Sequence, residues 1–459
     1  MRLLWVIGFL AGSALVRGAE PPLAITNVTV IDPAGAGRIG ERTVLVEAGR
    51  IAAIEAADTT QIPENARRVE GRGLFLVPGL TDMHVHLFNN STHRPPNEWA
   101  FPMFIANGAT AVREMRTGLD DLPRVARWRE EVANGRLIAP HVIAAGVAVW
   151  GTYEEGAREE VRAAKTAGAD FIKVFSDVPA THWRVILAEA KSLGIPVCGH
   201  VPAQVSLLEA ARAGQRSNEH LTQAYEACSA KEDEWLAARR GLAPDTFVAL
   251  RDSQEREVLA TFDEQACAQT ATALAATGQA QVPTLVLSHF EARGEPSKLR
   301  DDPRWNLLRQ DEQKRWLTLR VGEAAADRAT SEERRTISCR IVHAFRNAGV
   351  TILAGTDAPM PLVYPGFSLH DELELLVECG LTPLDALRAA TSEPAKFLGR
   401  DGEFGSIAVG QRADMILLEA DPLQDIRNLR RIRAVILGGR LLRQADLKLL
   451  SKKGLPTIR

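Results

Sequence analysis

The chain has no excess of charge of either sign. Its 55 Lys and Arg stand against 58 Asp and Glu, a formal net charge of −3 with a pI near 6.4. A nucleic-acid partner, which needs a basic face, is therefore not expected. No low-complexity block or short-period repeat appears, and 46% hydrophobic with 25% charged residues is ordinary globular composition. Long apolar runs are also scarce. The run from Leu3 to about Val16 is shorter than the roughly 20 residues a membrane-crossing helix needs, so no stable membrane insertion is expected. With Arg2 before it and Gly18 and Ala19 after it, residues 1–19 read as a signal peptide cut near residue 18 or 19. An uncleaved N-terminal anchor is the alternative. No cysteine sits at the cut, so nothing there supports a lipid anchor. The mature protein is expected to be exported, to a periplasm or beyond.

Cysteine is sparse, at five residues. Cys198 reads as a buried packing residue, and Cys339 and Cys379 as core positions of predicted helices. Cys228 and Cys267 share one long connection, and in an exported chain they are hypothesised to form a disulfide.

What is present is a set of six metal-ligand-type residues at the ends of strand-like runs. His84 and His86 lie in LFLVPGLTDMHVHL, an apolar stretch that reads as a buried strand. Side chains at i and i+2 of a strand point the same way, about 6–7 Å apart, so two imidazoles there can grip one cation. Lys173 lies in ADFIKVFSD, His200 in GIPVCGHVP, His220 in GQRSNEHLT and Asp357 in VTILAGTDAP. Further strand-like runs are ATAVREM at 109–115, HVIAAGV at 141–147 and QVPTLVLS at 281–288. Helix-like stretches such as EEGAREEVRAAKTAGA separate most of them. The alternation predicts an α/β fold, a (β/α)8 TIM barrel, in which active-site groups gather at the C-terminal ends of the strands.

The ordered set PGLTDMHVHL, GADFIKVF, GIPVCGHV, SNEHL, ILAGTDAP, LTPLDALRAATSEPAKFLG and GSIAVGQRADMILLEADPL resembles the amidohydrolase superfamily of metal-dependent hydrolases. Within it the likeness is to imidazolonepropionase-like and prolidase-like members, over residues 24 to 445. The resemblance implies two divalent metal ions, zinc before manganese, iron or cobalt. His84, His86 and Asp357 would hold one ion and His200 and His220 the other, with Lys173, as N6-carboxylysine, bridging them. It further implies attack of a metal-bridging hydroxide on a carbonyl, with Asp357 passing the proton to the leaving amine. The residues themselves agree. Lys173 is flanked by Phe171, Ile172, Val174 and Phe175, and a buried ammonium without a partner tends to lose its proton, leaving an amine able to add carbon dioxide. Taken singly, any of these histidines is better read as a hydrogen-bonded core residue, Lys173 as a partner of Asp170 or Asp177, and Asp357 as a helix cap. Taken as a set in register with strand ends, they favour the metal centre.

The resemblance also implies a small β-sandwich built from both ends of the chain, residues 20–75 with 403–450, around a barrel at 76–402. Gly438–Gly439 marks a hairpin in it. Residues from about 222 to 280 read as a helical insertion near the barrel mouth, placed to act as a lid. Loops after the strands should line the pocket. Arg116 is a candidate to hold a substrate carboxylate, and Tyr225 to donate to the carbonyl oxygen as a catalytic group. Trp150, Tyr153, Tyr364 and His370 are further substrate-binding candidates, each with a rim or packing role as the plainer reading. His93, His141, His182, His289 and His343 read as surface or capping residues.

Two departures from the relatives stand out. The loop after strand 3 reads VAVWGTYEEG where many relatives carry Gly-Gly-His, and strand 5 ends GHVP where many have a histidine followed by Ala-His. These weaken a simple dipeptidase assignment. The expected activity is hydrolysis of an amide-type C–N bond, in a dipeptide or N-acyl amino acid. Alternatives on the same scaffold are a lactone, ester or cyclic-imide hydrolase, or a deaminase. The last is disfavoured because the first Glu after His200 is Glu209. A third reading is an exported barrel without chemistry. A small-molecule substrate is expected, and a homo-oligomer is left open.

Overall fold

The computed structural model describes residues 21–35, 37–88, 95–151, 153–293, 296–318 and 325–453. The expected leader and His93 lie outside them. The strands, in chain order, are β1 (Leu23–Asp32), β2 (Gly37–Glu47), β3 (Arg50–Ala56), β4 (Arg67–Glu70) and β5 (Phe75–Pro78). The next seven are β6 (Leu80–Val85), β7 (Ala109–Thr117), β8 (His141–Ala148), β9 (Phe171–Val174), β10 (Val197–Gly199), β11 (Ser217–Glu219) and β12 (Ala280–Val282). The last three are β13 (Met415–Leu418), β14 (Ile432–Leu437) and β15 (Arg440–Arg443).

The chain ends build one eight-stranded sheet in the order β15-β14-β13-β5-β1-β2-β3, with β4 beside β1. Ile25, Val28, Val30, Val44, Val46, Leu76, Met415, Leu417 and Ile436 form its own apolar core. The hairpin from β14 to β15 turns on Gly438 and Gly439, with φ of 53° and 83°. Two consecutive left-handed residues are what a two-residue hairpin turn requires, and glycine adopts that conformation without a Cβ clash.

Strands β6 to β12 are parallel and hydrogen-bonded in sequence order. The eighth place is filled by residues 351–357. Leu353 N donates to Gln281 O and Met83 N to Ala354 O, both at 2.9 Å, so this segment joins β12 to β6 and closes the ring. Its contacts form isolated bridges, Gln281 with Ile352 and Val85 with Ala358, and no continuous ladder. The strands are buried on both faces because helices cover the outside. Helix Glu154–Thr166 shows how: it buries Ala157, Val161 and Ala164, a single stripe at helical spacing.

One strand assignment is corrected. The run 281–288 is not a single strand. It breaks at Pro283 and at Thr284, whose φ is 49°, and helix Leu285–Arg293 follows. An apolar run this short fits either structure, and the proline with its left-handed neighbour decides.

Between β11 and β12 lie helices Ala224–Ala227, Glu232–Arg239, Pro244–Ala260 and Glu264–Ala275. The Cys228–Cys267 disulfide links the end of the first to the last. A second disulfide, Cys339–Cys379, corrects the reading of those two as simple core positions. It ties helix Ala325–Asn347 to the residue that closes helix Phe367–Glu378, two elements whose adjacency is a tertiary fact. Cys198 is a free, buried thiol. No helix among the described residues is long and apolar enough to cross a membrane.

Candidate metal centre

The six residues picked out from the sequence lie at the same end of the barrel. His84 lies in β6 and His86 one residue beyond it, Lys173 lies in β9, and His200 and His220 directly follow β10 and β11. Asp357 ends the segment in the eighth place. His84 and Lys173 are fully buried and Asp357 nearly so. The ring centroids of His84 and His86 are 5.3 Å apart, those of His84 and His220 4.6 Å, and those of His200 and His220 4.9 Å. Asp357 Oδ1 is 2.7 Å from His86 Nε2 and 3.3 Å from His84 Nε2. One ligand atom from each of His84, His86 and Asp357 fits within 4.8 Å of the other two.

Most of the rings are aimed by a partner on Nδ1. His84 Nδ1–H donates to Glu219 Oε2 at 2.9 Å. His220 Nδ1–H donates to Thr284 Oγ1 at 2.7 Å, and that hydroxyl spends its own proton on Pro283 O. His200 Nδ1 pairs with Ser176 Oγ at 3.0 Å. An imidazole held through Nδ1 presents an unprotonated Nε2, the form that binds a cation. His220 and Asp357 have φ of 61° and 66°. Left-handed conformations at non-glycine residues cost about 1–3 kcal/mol each and persist where the surroundings fix them. Here His220 N donates to Val282 O at 2.9 Å and Asp357 N to His84 O at 2.8 Å.

The electrostatics fit the same purpose. Burial, with the charge of Lys173 added, pushes His200 well below its ordinary value. Burial and the neighbouring His84 push His220 down to about 3. Both imidazoles are therefore neutral, as ligands must be. Burial alone would raise Asp357, but His86 and His84 outweigh it and hold the carboxyl ionised. Burial lowers Lys173 to about 8 against the pull of Glu219 and Asp357.

A divalent ion fits this donor set. His84 Nε2, His86 Nδ1, Lys173 Nζ and Asp357 Oδ1 are all buried without a hydrogen-bond partner. Orphaned buried groups are costly, and a bound cation would satisfy those that converge.

The substrate-binding candidates divide. Arg116, just inside the end of β7, stands over the Trp150 and Phe175 rings at 5.4 and 5.2 Å and has Asp177, Asp357 and Glu114 as charged neighbours. Tyr225 lines a cavity of about 350 Å³ that opens beside His200 and His220. The insertion and helix Ala325–Asn347 supply further walls, including Glu255, Val258, Leu259 and Arg334. The Tyr225 hydroxyl lies 2.9 Å from Ser338 Oγ, whose own proton goes to Arg334 O. Tyr153 is exposed at the start of helix Glu154–Thr166.

Two candidates are corrected. Tyr364 is fully buried, packed edge-on against Trp316 at 4.9 Å with the Arg304 guanidinium 4.5 Å above it. Its loop folds it into a cluster with Met103 and Trp305, away from the pocket. His370 is also buried, and its Nε2–H donates to Asn107 O at 2.9 Å. Asn107 precedes β7, so His370 faces the opposite end of the barrel from the ligands.

Sequence reasoning missed the groups behind the ligands. Glu219, Arg113, Asp82 and Glu114 are all fully buried. Burial pushes Asp82 up to about 7 against hydrogen bonds from Thr356 and His84 N. Burial likewise pushes Glu114 up to about 7 against the pull of His86. The available signal was a charged residue inside an otherwise apolar strand, as in ATAVREM.

Comparison with known proteins agrees with this geometry. A 34% identical stretch of 127 residues is shared with dihydroorotase of Anaeromyxobacter dehalogenans, covering 28% of this chain and 27% of that protein. The chain thus matches only about a quarter of the length of that curated relative. Among solved structures, a prolidase candidate from Bifidobacterium longum is 25% identical with a TM-score of 0.63, over 94% of this chain and 98% of that one. A Xaa-Pro dipeptidase with bound methionine is 20% identical with a TM-score of 0.65, over 92% and 100%, a likeness of fold. The model of the amidohydrolase family matches residues 75–442, the whole barrel and part of the second sheet, and the chain belongs to that family.

Proposed function

We propose that this protein is an exported, metal-dependent hydrolase that cleaves an amide-type C–N bond in a small substrate bearing a carboxylate, a dipeptide or an N-acyl amino acid. The observation that carries this reading is the convergence of four imidazoles, an unpaired buried lysine amine and an ionised aspartate at one end of the barrel. His84, His86 and Asp357 would hold one divalent ion, zinc by the chemistry of the donors, and His200 and His220 a second. Lys173, carboxylated on Nζ, would serve both. The ions supply Lewis-acid polarisation of the carbonyl and a water acidic enough to act near neutral pH.

The chain's own groups do the rest. The Asp357 carboxylate, held ionised between the two histidines, takes the proton of the attacking water and delivers it to the leaving nitrogen. Arg116, backed by Trp150 and Phe175, takes the substrate carboxylate through its paired N–H groups. Tyr225 stands in the cavity wall, and donating to the carbonyl oxygen requires its proton to leave Ser338.

The stretch shared with dihydroorotase supports a second reading, opening of a cyclic amide or imide by the same residues. The deciding experiment is a screen of metal-reconstituted protein against dipeptides, N-acyl amino acids and cyclic imides, with metal analysis alongside. Near two metals per chain and turnover of linear carboxylated amides are expected. A chain that retains no metal after dialysis, or that turns over only esters or lactones, would refute the proposal.

A further inference from the structure

Behind His84 lies a buried ionic assembly that spans three strands. Arg113 on β7 and Glu219 on β11 are each 0% exposed. Arg113 Nη2 donates to Glu219 Oε1 and Oε2 at 2.9 and 3.0 Å. Its Nη1 donates to Ser217 Oγ at 3.2 Å, and its Nε donates to Met83 O on β6 at 2.6 Å. Ser217 Oγ donates in turn to Glu219 Oε1 at 2.5 Å. The remaining position on Glu219 Oε2 is taken by His84 Nδ1–H at 2.9 Å. Phe171 and Phe397 lie near the guanidinium at 5.6 and 5.5 Å.

The consequence for His84 is geometric. Every acceptor site that faces it is an anion already filled by Arg113 and Ser217, so its Nδ1 can only donate. The Nε2 lone pair is thereby aimed at Asp357 Oδ1, 3.3 Å away. Two lone pairs facing each other at that separation repel unless a cation lies between them. The same guanidinium also holds the Met83 carbonyl, one residue before His84, so ring and backbone are fixed by one group.

We propose that Arg113 and Glu219 are positioning residues for the metal centre, locking His84 in the Nδ1–H form so that its Nε2 is committed to a divalent ion shared with His86 and Asp357. This rests on the metal-centre reading above but not on any substrate. Neither residue touches the ion or the substrate. Together they set how tightly the His84-containing position binds and leave the position held by His200 and His220 alone.

The test uses the full chain and zinc alone. Equilibrium dialysis against chelator-buffered zinc, with metal analysis, resolves the two bound equivalents. Glu219→Gln is expected to weaken one equivalent by about 10–100-fold, the effect typical of removing the partner of a ligating histidine, and to leave the other unchanged. Arg113→Lys keeps a charge but loses the planar fork, so an intermediate weakening of the same equivalent is expected. Far-UV circular dichroism checks the fold, and if one variant does not fold the other decides. A folded variant that keeps both equivalents at the parental affinity overturns the proposal. So does a folded variant that weakens both equally, which marks a general structural role. A parent chain that binds no zinc at all overturns the metal-centre reading itself, and this inference with it.

Discussion

His370 offers a prediction that needs no substrate. The residue is buried 2% exposed on helix Phe367–Glu378, and its Nε2–H pins that helix to Asn107 O at 2.9 Å. Burial, with Arg430 nearby, lowers its pKa from 6.5 to about 4, against the opposing effects of the Asn107 carbonyl and Asp371. The unfolded chain therefore binds a proton at this residue between roughly pH 6.5 and pH 4 that the folded chain does not. Stability is fully present above the unfolded value and is lost as pH falls toward the folded one. A shift of this size corresponds to about 3 kcal/mol across the window, at about 1.4 kcal/mol per unit. Glutamine at this position retains an N–H for the carbonyl but does not titrate. Urea unfolding of the chelator-treated parent and of His370→Gln, at steps from pH 7 to pH 4.5, isolates the term because other acid-sensitive groups cancel in the difference. The parent's advantage over the variant should shrink steadily as pH falls, and the order of stability should reverse before pH 4.5 if the neutral-pH cost of the glutamine is under about 2 kcal/mol. A gap that stays constant with pH would refute the assignment. So would a large rise in KM at neutral pH, which would return His370 to the substrate pocket.

Four further predictions follow from other groups. Lys173→Ala should abolish hydrolysis and lower the bound metal, measured by turnover and metal analysis, and a fully active variant would refute its place at the centre. Arg116→Met should lower kcat/KM on carboxylated substrates by about 100-fold, from a partly exposed charge-assisted pair worth about 3 kcal/mol. The same change should leave the amidated analogue nearly unaffected, and equal losses on both would count against a carboxylate clamp. Thiol titration of the denatured, unreduced protein should find one reactive thiol, Cys198, because the other four cysteines are paired. Each bridge closes a loop of about forty residues, so removing Cys228–Cys267 by Cys228→Ser should lower stability by up to about 4 kcal/mol in chemical denaturation.

The convergence of the six candidate ligands was legible in the sequence because the chemistry proposed for them leaves few choices. A cation needs neutral imidazoles and carboxylates at fixed places, and strand ends in a parallel barrel bring distant segments together by a rule of topology. His84 and His86 follow from the two-residue period of a strand, and Lys173 from an ammonium placed among Phe171, Ile172, Val174 and Phe175. What was not legible depends on where loops and helices turn. Tyr364 and His370 both follow the last barrel segment and looked equally close to the mouth. One is folded beneath Trp316 and the other faces Asn107. Cys339 and Cys379 sit in helices whose contact has no local signature. The seventh strand was overrun because LVLS is as apolar in a buried helix as in a strand.

The residues behind the ligands could have been found by a different question. Arg113 and Glu114 are adjacent charges in the middle of a strand that is Ala, Thr, Val and Met up to Arg116, and Glu219 ends a strand of three buried residues. By local preference these positions should be apolar, since a buried charge is costly unless paired. Such charges persist where each has a partner that itself has a task. Arg113 answers Glu219, Glu219 answers His84, and His84 faces Asp357. The series ends where His84 Nε2 faces Asp357 Oδ1, two buried atoms without a hydrogen-bond partner among the described residues. His220 and Asp357, in left-handed backbone, mark the same place from a second direction. Local rules that fail together at one point, with the surrounding contacts holding them there, mark a functional site. That is the physical reason the metal centre, and not the better-packed sheet at the chain ends, is where the chemistry of this protein should be sought.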